Sequence, residues 1–459
     1  MPIFKSPAGW IAAAGILLGL WIALGDPLVL GDALARSSGL VLAAIALYAT
    51  GAVKEYVTAL AFFTIAMVFS IAPAGVVFAG FESNAFWLVL SGLVIGLAIN
   101  ATGLGARFAR GLARIFPANY AGLVVGTVTA TTLIAFVMPS SMGRVVLLMP
   151  IVLAIADRFG LKEGSIGRSG LALTVGFASF SPATGILPAT VPNMVLTGAM
   201  EKIHGYAPLY GEWLILHFPF LGLTKALLIC AASWALFRDE VIPVTAEDEA
   251  KPMSAAEKRL AVILVAALIG WSTDFLHGVS PAWIGMAAAI LSVLPGIGVL
   301  PQQDVFKKID VAPVLYLGGV LGLGALIAYS GIGVGLGHFL ADLLPLTPGA
   351  SVTNLLSMTF GSSVIALAAT IPGLPAVMVP LSGPLADVSG LPLDTVLASI
   401  VLSYSTAILP YQAPPIIIAL GLSGARLADA TKLVISVAVA TVVLIFPLEL
   451  LWWKFLGLY

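Results

Sequence analysis

Charge is what this chain has least of. Only 9% of its 459 residues are Asp, Glu, Lys or Arg, against roughly 25% in soluble domains. With 60% apolar residues, there is too little polar surface to hold a folded chain of this length in water. Cysteine is nearly absent as well. Cys230 stands alone, which excludes an intrachain disulfide, and its apolar neighbours mark it as helix packing rather than a redox centre. A formal net charge of -1, with no basic tail, excludes nucleic acid as a partner. His204, His217, His277 and His338 are scattered without Cys, Asp or Glu at metal-ligand spacing. No Gly-x-Ser-x-Gly element with a partnered His is present either, so an enzyme is not expected.

What the chain does have is apolar stretches of about 20 residues, the length a bilayer core requires. They recur from Gly9–Gly25 to Leu433–Trp453, so the membrane is the expected solvent. The first stretch follows Lys5 without a small-residue cleavage site and reads as a retained helix. One polar segment, Phe237 to Arg259, holds Pro243 and Pro252 and divides the chain into two hydrophobic halves.

Three blocks recur in the same order in both halves. Leu88–Gly105 resembles Pro313–Gly333. RVVLLMPI, ending at Ile151, resembles LPAVMVPL, ending at Leu381. GILPATVPN (Gly185–Asn193) resembles AILPYQAPP (Ala407–Pro415). Basic residues orient the halves, because Lys and Arg collect on the cytoplasmic side. Arg107, Arg110 and Arg114 precede the stretch 120–156, and Arg158, Lys162 and Arg168 follow it. The matching stretch 350–387 lies in a run from Ile309 to Ala425 that lacks Lys and Arg altogether, with Asp342, Asp387 and Asp394 at its flanks. Opposite flanking sides for matching blocks make the halves inverted copies, an arrangement common in secondary transporters.

The expected fold is an all-α polytopic membrane protein with about 11 transmembrane helices and two re-entrant helical hairpins. Residues 1–83 form N-terminal scaffold helices. Repeat 1 covers 84–237, with a cytoplasmic-side hairpin at 119–157 and a broken helix at 169–198. A cytoplasmic linker spans 238–259. Repeat 2 covers 260–459, with an outside hairpin at 350–388 and a broken helix at 392–420.

Backbone that leaves a helix at membrane depth must be buried in protein or line a cavity. Matched Pro and Gly clusters therefore point to the binding site. Ser140, Ser141, Met142, Gly143 and Arg144 form the first tip, and Thr370, Ile371, Pro372 and Gly373 the second. The loops hold Thr184, Gly185, Pro188, Thr190, Pro192 and Asn193, then Ser405, Thr406, Pro410, Tyr411, Gln412, Ala413, Pro414 and Pro415. Helix N-termini exposed at such breaks suit an anion. Arg144 has two readings. It faces the site and pairs with an anionic group or stands in for a bound cation, or it satisfies helix C-terminal carbonyls and never meets substrate. The serine and threonine hydroxyls can donate to an anion or bond back to a helix carbonyl. The amides of Asn193 and Gln412 demand partners wherever they sit.

Two hairpins and Pro-containing broken helices in an inverted repeat resemble the divalent anion/sodium symporter family of the ion transporter superfamily. The likeness runs from about Tyr56 onward. In that family the tips carry Ser-Asn-Thr and the loops a Thr-Pro-Pro-like motif. Here Ser140-Ser141-Met142 and Thr370-Ile371-Pro372 occupy the tips, while Thr190-Val191-Pro192-Asn193 and Gln412-Ala413-Pro414-Pro415 occupy the loops. The resemblance implies elevator-type transport of a small anion of the dicarboxylate, sulfate or sulfonate class, in the cell (inner) membrane and as a homodimer. It also implies sodium near Ser140, Ser141, Thr184, Gly185, Thr370 and Thr406, whereas proton coupling or anion exchange stays open from the residues themselves. The alternatives are a cation/proton antiporter or a metalloid exporter of the same superfamily, which would want intramembrane carboxylates. A membrane-embedded enzyme and a passive channel are further rivals.

Overall fold

The computed structural model describes residues 7–113, 117–138, 140–242, 252–368 and 371–459. Thr370, Arg114 and most of the polar linker (243–251) lie outside the described residues. All regular structure among the described residues is helical. Seven helices there are long and apolar enough to cross a membrane, among them Asn84–Thr102, Ala312–Tyr329 and the long segments Tyr210–Phe237 and Leu427–Phe455.

The two halves correspond element by element. Asn84–Thr102 and Ala312–Tyr329 each lead into a shorter helix, Leu104–Ala113 and Ile332–Leu343. Hairpins follow, Tyr120–Ala135 with Ser141–Arg158, then Ser351–Ala368 with the chain from Ile371 to Ser389. Next come broken helices, Ile166–Phe180 with Val191–His204, and Leu393–Ser405 with Pro414–Ser423. A long closing helix ends each half. Proline explains the breaks, since it lacks an N–H and is best accommodated in a helix's opening turn. Pro192 stands in the opening turn of one second segment, and Pro414 and Pro415 in that of the other. Both closing helices also widen midway into a π turn, at Phe218–Thr224 and Thr441–Ile445. Each of these turns has a Phe-Pro pair, Phe218-Pro219 or Phe446-Pro447, within it or directly after it, a fourth match between the halves.

Inversion is visible in where the hairpins are rooted. Hairpin 1 is tied at its base by the Arg168–Asp157 ion pair and by Ile242 N donating to Phe159 O at 3.0 Å. Hairpin 2 is tied at the opposite end by Asn354, whose Nδ2 donates to Thr347 O at 2.8 Å and Ser389 O at 3.0 Å. The first broken helix runs from one base toward the other. It ends at His204, which reaches Ser382 Oγ of hairpin 2 at 3.0 Å. Just beyond, the Tyr206 hydroxyl bonds to Asp394 at the start of the second broken helix.

Each hairpin packs on the broken helix of the other half. Ser141–Arg158 lies against Pro414–Ser423, and Leu374–Met378 against Val191–His204. The two broken helices also touch, and Gly176 sets their approach. A Cβ there would lie 2.6 Å from Ala419 Cβ and 3.0 Å from Pro415 O. Overpacking of this kind costs about 1–3 kcal/mol. Gly176→Ala is therefore expected to lower the melting midpoint of the purified protein, with Ala419→Gly restoring part of the loss. An unchanged midpoint would contradict this packing.

Candidate functional site

Both tips and both breaks border one cavity of about 520 Å³. Ser141 and Met142 come from hairpin 1, Pro372 from hairpin 2, Thr190 and Pro192 from the first break, and Pro414 from the second. Phe180, Tyr56 and Tyr316 add aromatic surface, and Lys54, Glu55 and Asp310 stand at its rim, where Glu55–Val68 and Ala312–Tyr329 begin. Its volume falls in the range of small-molecule sites, roughly 300–1,000 Å³.

The chemistry of the wall follows from helix ends. Ser140 caps Ser141–Arg158, its Oγ accepting from Gly143 N at 3.0 Å. Ser141 and Met142 are then the opening residues of a helix whose first N–H groups have no intrahelical partner and carry the positive pole. Thr190 precedes Val191–His204, and its hydroxyl is buried without a hydrogen-bond partner. The opposing wall is poorer in donors, because Pro372, Pro414 and Pro415 have no N–H. One side of the cavity thus offers donors, and the other offers proline rings.

The remaining site residues lie behind this wall. Arg144 is fully buried and does not line the cavity. Its Nη1 donates to Met138 O at 2.5 Å, and its Nη2 to Ser179 O at 2.5 Å and Ala189 O at 3.0 Å. These are carbonyls near helix ends and in the first break. Asn193 Nδ2 donates to Thr184 O at 3.1 Å and Ile186 O at 2.9 Å, while its Oδ1 accepts from Tyr404 of the other half at 2.8 Å. Gln412 does the same for the second break. Its Oε1 accepts from Ile408 N and Leu409 N, and its Nε2 donates to Ala366 O at 3.1 Å. Both amides therefore hold the loops in shape. Gly143, Ile371 and Ala413 also stand behind the cavity wall, and Ile371 and Ala413 are fully buried.

The oxygens considered for sodium are engaged as well. Thr184 O accepts from both Asn193 and Trp213 Nε1. Thr184 Oγ1 donates to Ser181 O at 2.7 Å, and Thr406 Oγ1 to Leu402 O at 3.1 Å. Gly185 is pressed against Gly222 and Phe218. Among the described residues no cluster of His, Cys, Asp or Glu could hold a metal ion.

Sequence reasoning passed over several residues. Lys225, buried in the second break's surroundings, donates to Ser405 O at 2.7 Å and Ser405 Oγ at 3.2 Å. Buried Glu449 accompanies it, 3.4 Å from His217. A lone Lys or Glu inside an apolar stretch was the available signal, since such residues are costly in a membrane and seldom idle. The rim residues Lys54 and Asp310 had no comparable signal, because charges at helix starts are ordinary.

Residues 9–459 match the family described as the sodium:sulfate symporter transmembrane region. A membrane protein of Cupriavidus necator is 25% identical over 400 residues, covering 83% of this chain and 77% of that protein. A transporter of Haemophilus influenzae is 24% identical over 397 residues, covering 82% and 81%. The sodium-dependent dicarboxylate transporter SdcS of Staphylococcus aureus is 23% identical over 305 residues, covering 58% of this chain and 57% of that protein. Among solved structures, the YdaH transporter of Alcanivorax borkumensis shares the fold with a TM-score of 0.57 at 15% identity, covering 83% of this chain and 86% of that one. An inverted helical repeat around a central cavity and a family match along nearly the whole chain agree: this protein belongs to the sodium:sulfate symporter family of multi-span membrane transporters.

Proposed function

We propose that the chain is a secondary active transporter of small anions of the dicarboxylate, sulfate or sulfonate type, working in the inner membrane. The observation that carries this reading is the convergence of two hairpin tips and two helix breaks, from oppositely oriented halves, on one cavity. The anion sits against Ser141, Met142 and Thr190. There the pole of a helix N-terminus and two hydroxyls supply positive potential and donors. The proline-lined wall packs against its apolar part.

The hairpins and broken helices move together as an elevator, because they hold one another through the crosswise packing and the Tyr404–Asn193 bond. The N-terminal helices and those that flank the cavity rim form the scaffold and the homodimer contact. Lys54 and Asp310 stand on the side read as cytoplasmic, so the conformation is open inward. The cavity's own carboxylates, Glu55 and Asp310, lie only at the rim, and buried Glu449 stands outside its lining beside His217, which favours an anion at depth over the cation that an antiporter would bind.

Screening anions for stabilisation of the purified protein, followed by uptake into liposomes, tests the reading. A carboxylate, sulfate or sulfonate that raises the melting midpoint and is transported supports it. Stabilisation by none of them counts against it. Losing one hydrogen bond to a charged group costs about 1.5–3 kcal/mol, so Thr190→Val and Ser141→Ala are expected to weaken anion binding roughly tenfold or more while insertion stays intact. Wild-type affinity in both would remove the site. Asn193→Leu is expected to act differently. It strips Thr184 O, Ile186 O and the Tyr404 hydroxyl of a partner, each worth about 1–3 kcal/mol, and so lowers the melting midpoint without any anion present.

A further inference from the structure

The four chain breaks leave four helix C-terminal ends at membrane depth. Such ends hold unpaired carbonyls and the negative pole of the helix. In transporters with broken helices they are where coupling cations are held. Here, side chains of the chain itself already stand at all four.

In the first half one guanidinium serves two ends. Arg144 bonds Met138 O, in the turn three residues beyond the end of Tyr120–Ala135, and Ser179 O, one residue before the end of Ile166–Phe180. In the second half the end at Ser405, the last residue of Leu393–Ser405, is met by Lys225 from the first half's closing helix, which bonds both its carbonyl and its hydroxyl. The fourth end, on the first limb of hairpin 2, is closed without charge. Gln412 donates to Ala366 O, and the Tyr411 hydroxyl to Leu367 O at 3.1 Å.

We propose that Arg144 and Lys225 are fixed internal cations in the positions of coupling ions, so that this chain moves its anion without sodium. The inference rests on the transport reading above. Both side chains are buried, so an ion arriving from water reaches those carbonyls only by moving a side chain that already donates to them. Each stands near the end of a broken helix's first segment, Arg144 at Ser179 one residue before the end of Ile166–Phe180 and Lys225 at Ser405, the last residue of Leu393–Ser405. Buried Glu449 stands 3.4 Å from His217. No carboxylate pairs with Arg144 among the described residues, which leaves its charge beneath the Ser141 wall to balance a bound anion. A sodium ion beside either group would meet like charge and oxygens that already have donors.

The melting midpoint of the purified full-length protein, compared in sodium, potassium and choline chloride at equal ionic strength, tests this. The same midpoint in all three is expected, with anion uptake into liposomes unchanged when choline replaces sodium. A sodium-specific rise in the wild type, or sodium-dependent uptake, overturns the proposal. Lys225→Ala vacates the Ser405 oxygens and is expected to gain a sodium-specific rise that the wild type lacks. Lys225→Ser offers the same vacancy should the alanine variant fail to fold. A folded variant without that gain shows that Lys225 holds no cation position, and overturns the assignment. The wild-type comparison decides the matter on its own if neither variant folds. Failure to transport any anion would remove the function proposed above, yet the melting comparison would still stand.

Discussion

A backbone carbonyl that leaves its helix at mid-membrane finds no water, and each such group left bare costs several kcal/mol. The centre of this protein is arranged around that constraint. Four helices stop at depth, and every stop is met by a long polar side chain arriving from elsewhere: Arg144, Lys225, Gln412 and Tyr411. Asn193 and Trp213 settle the carbonyl of Thr184 inside the first loop. These side chains turn loops that would be intolerable in lipid into rigid walls.

The polarity of the site follows from which helix ends are sealed. The C-terminal ends, which are negative, are closed by donors. The N-terminal ends at Ser141 and Val191 stay open toward the cavity, with the unpartnered Thr190 hydroxyl beside them. Open positive ends and sealed negative ones support an anion as the cargo. The crosswise packing of each hairpin on the other half's broken helix then joins the cavity wall into one body, as the proposed elevator movement requires.

Much of the architecture could be read from residue order alone. The matched blocks RVVLLMPI and LPAVMVPL, with Pro150 and Pro380 as their counterpart prolines, the two proline-bearing loops and the sidedness of Arg and Lys point to an inverted pair of hairpins and broken helices, because helix breaks and membrane sidedness are local properties. Ser141, Met142, Thr190, Pro192, Pro372 and Pro414 do come together at one cavity. Pairings were not legible. Tyr404 and Asn193 are 211 positions apart, and nothing local to either residue announces the other. Lys225 meets Ser405 across 180 positions. Arg144 carried two readings for the same reason: its partners at Ser179 and Ala189 are set by how three chain segments fold back, which spacing along one helix does not reveal. The matched Phe-Pro pairs at the π turns were visible in principle, but proline within a long apolar stretch does not by itself distinguish a kink from a wider turn.

The account stands on both hairpin tips reaching one anion-filled cavity from opposite sides of the membrane. Cysteine cross-linking measures that most directly, using Met142→Cys with Pro372→Cys in a protein where Cys230 is replaced by Ser. A short bifunctional reagent is expected to join the two, and the anion that binds is expected to block the reaction. Labelling of the two positions from opposite faces, with no cross-link at any reagent length that fits the cavity, would contradict it.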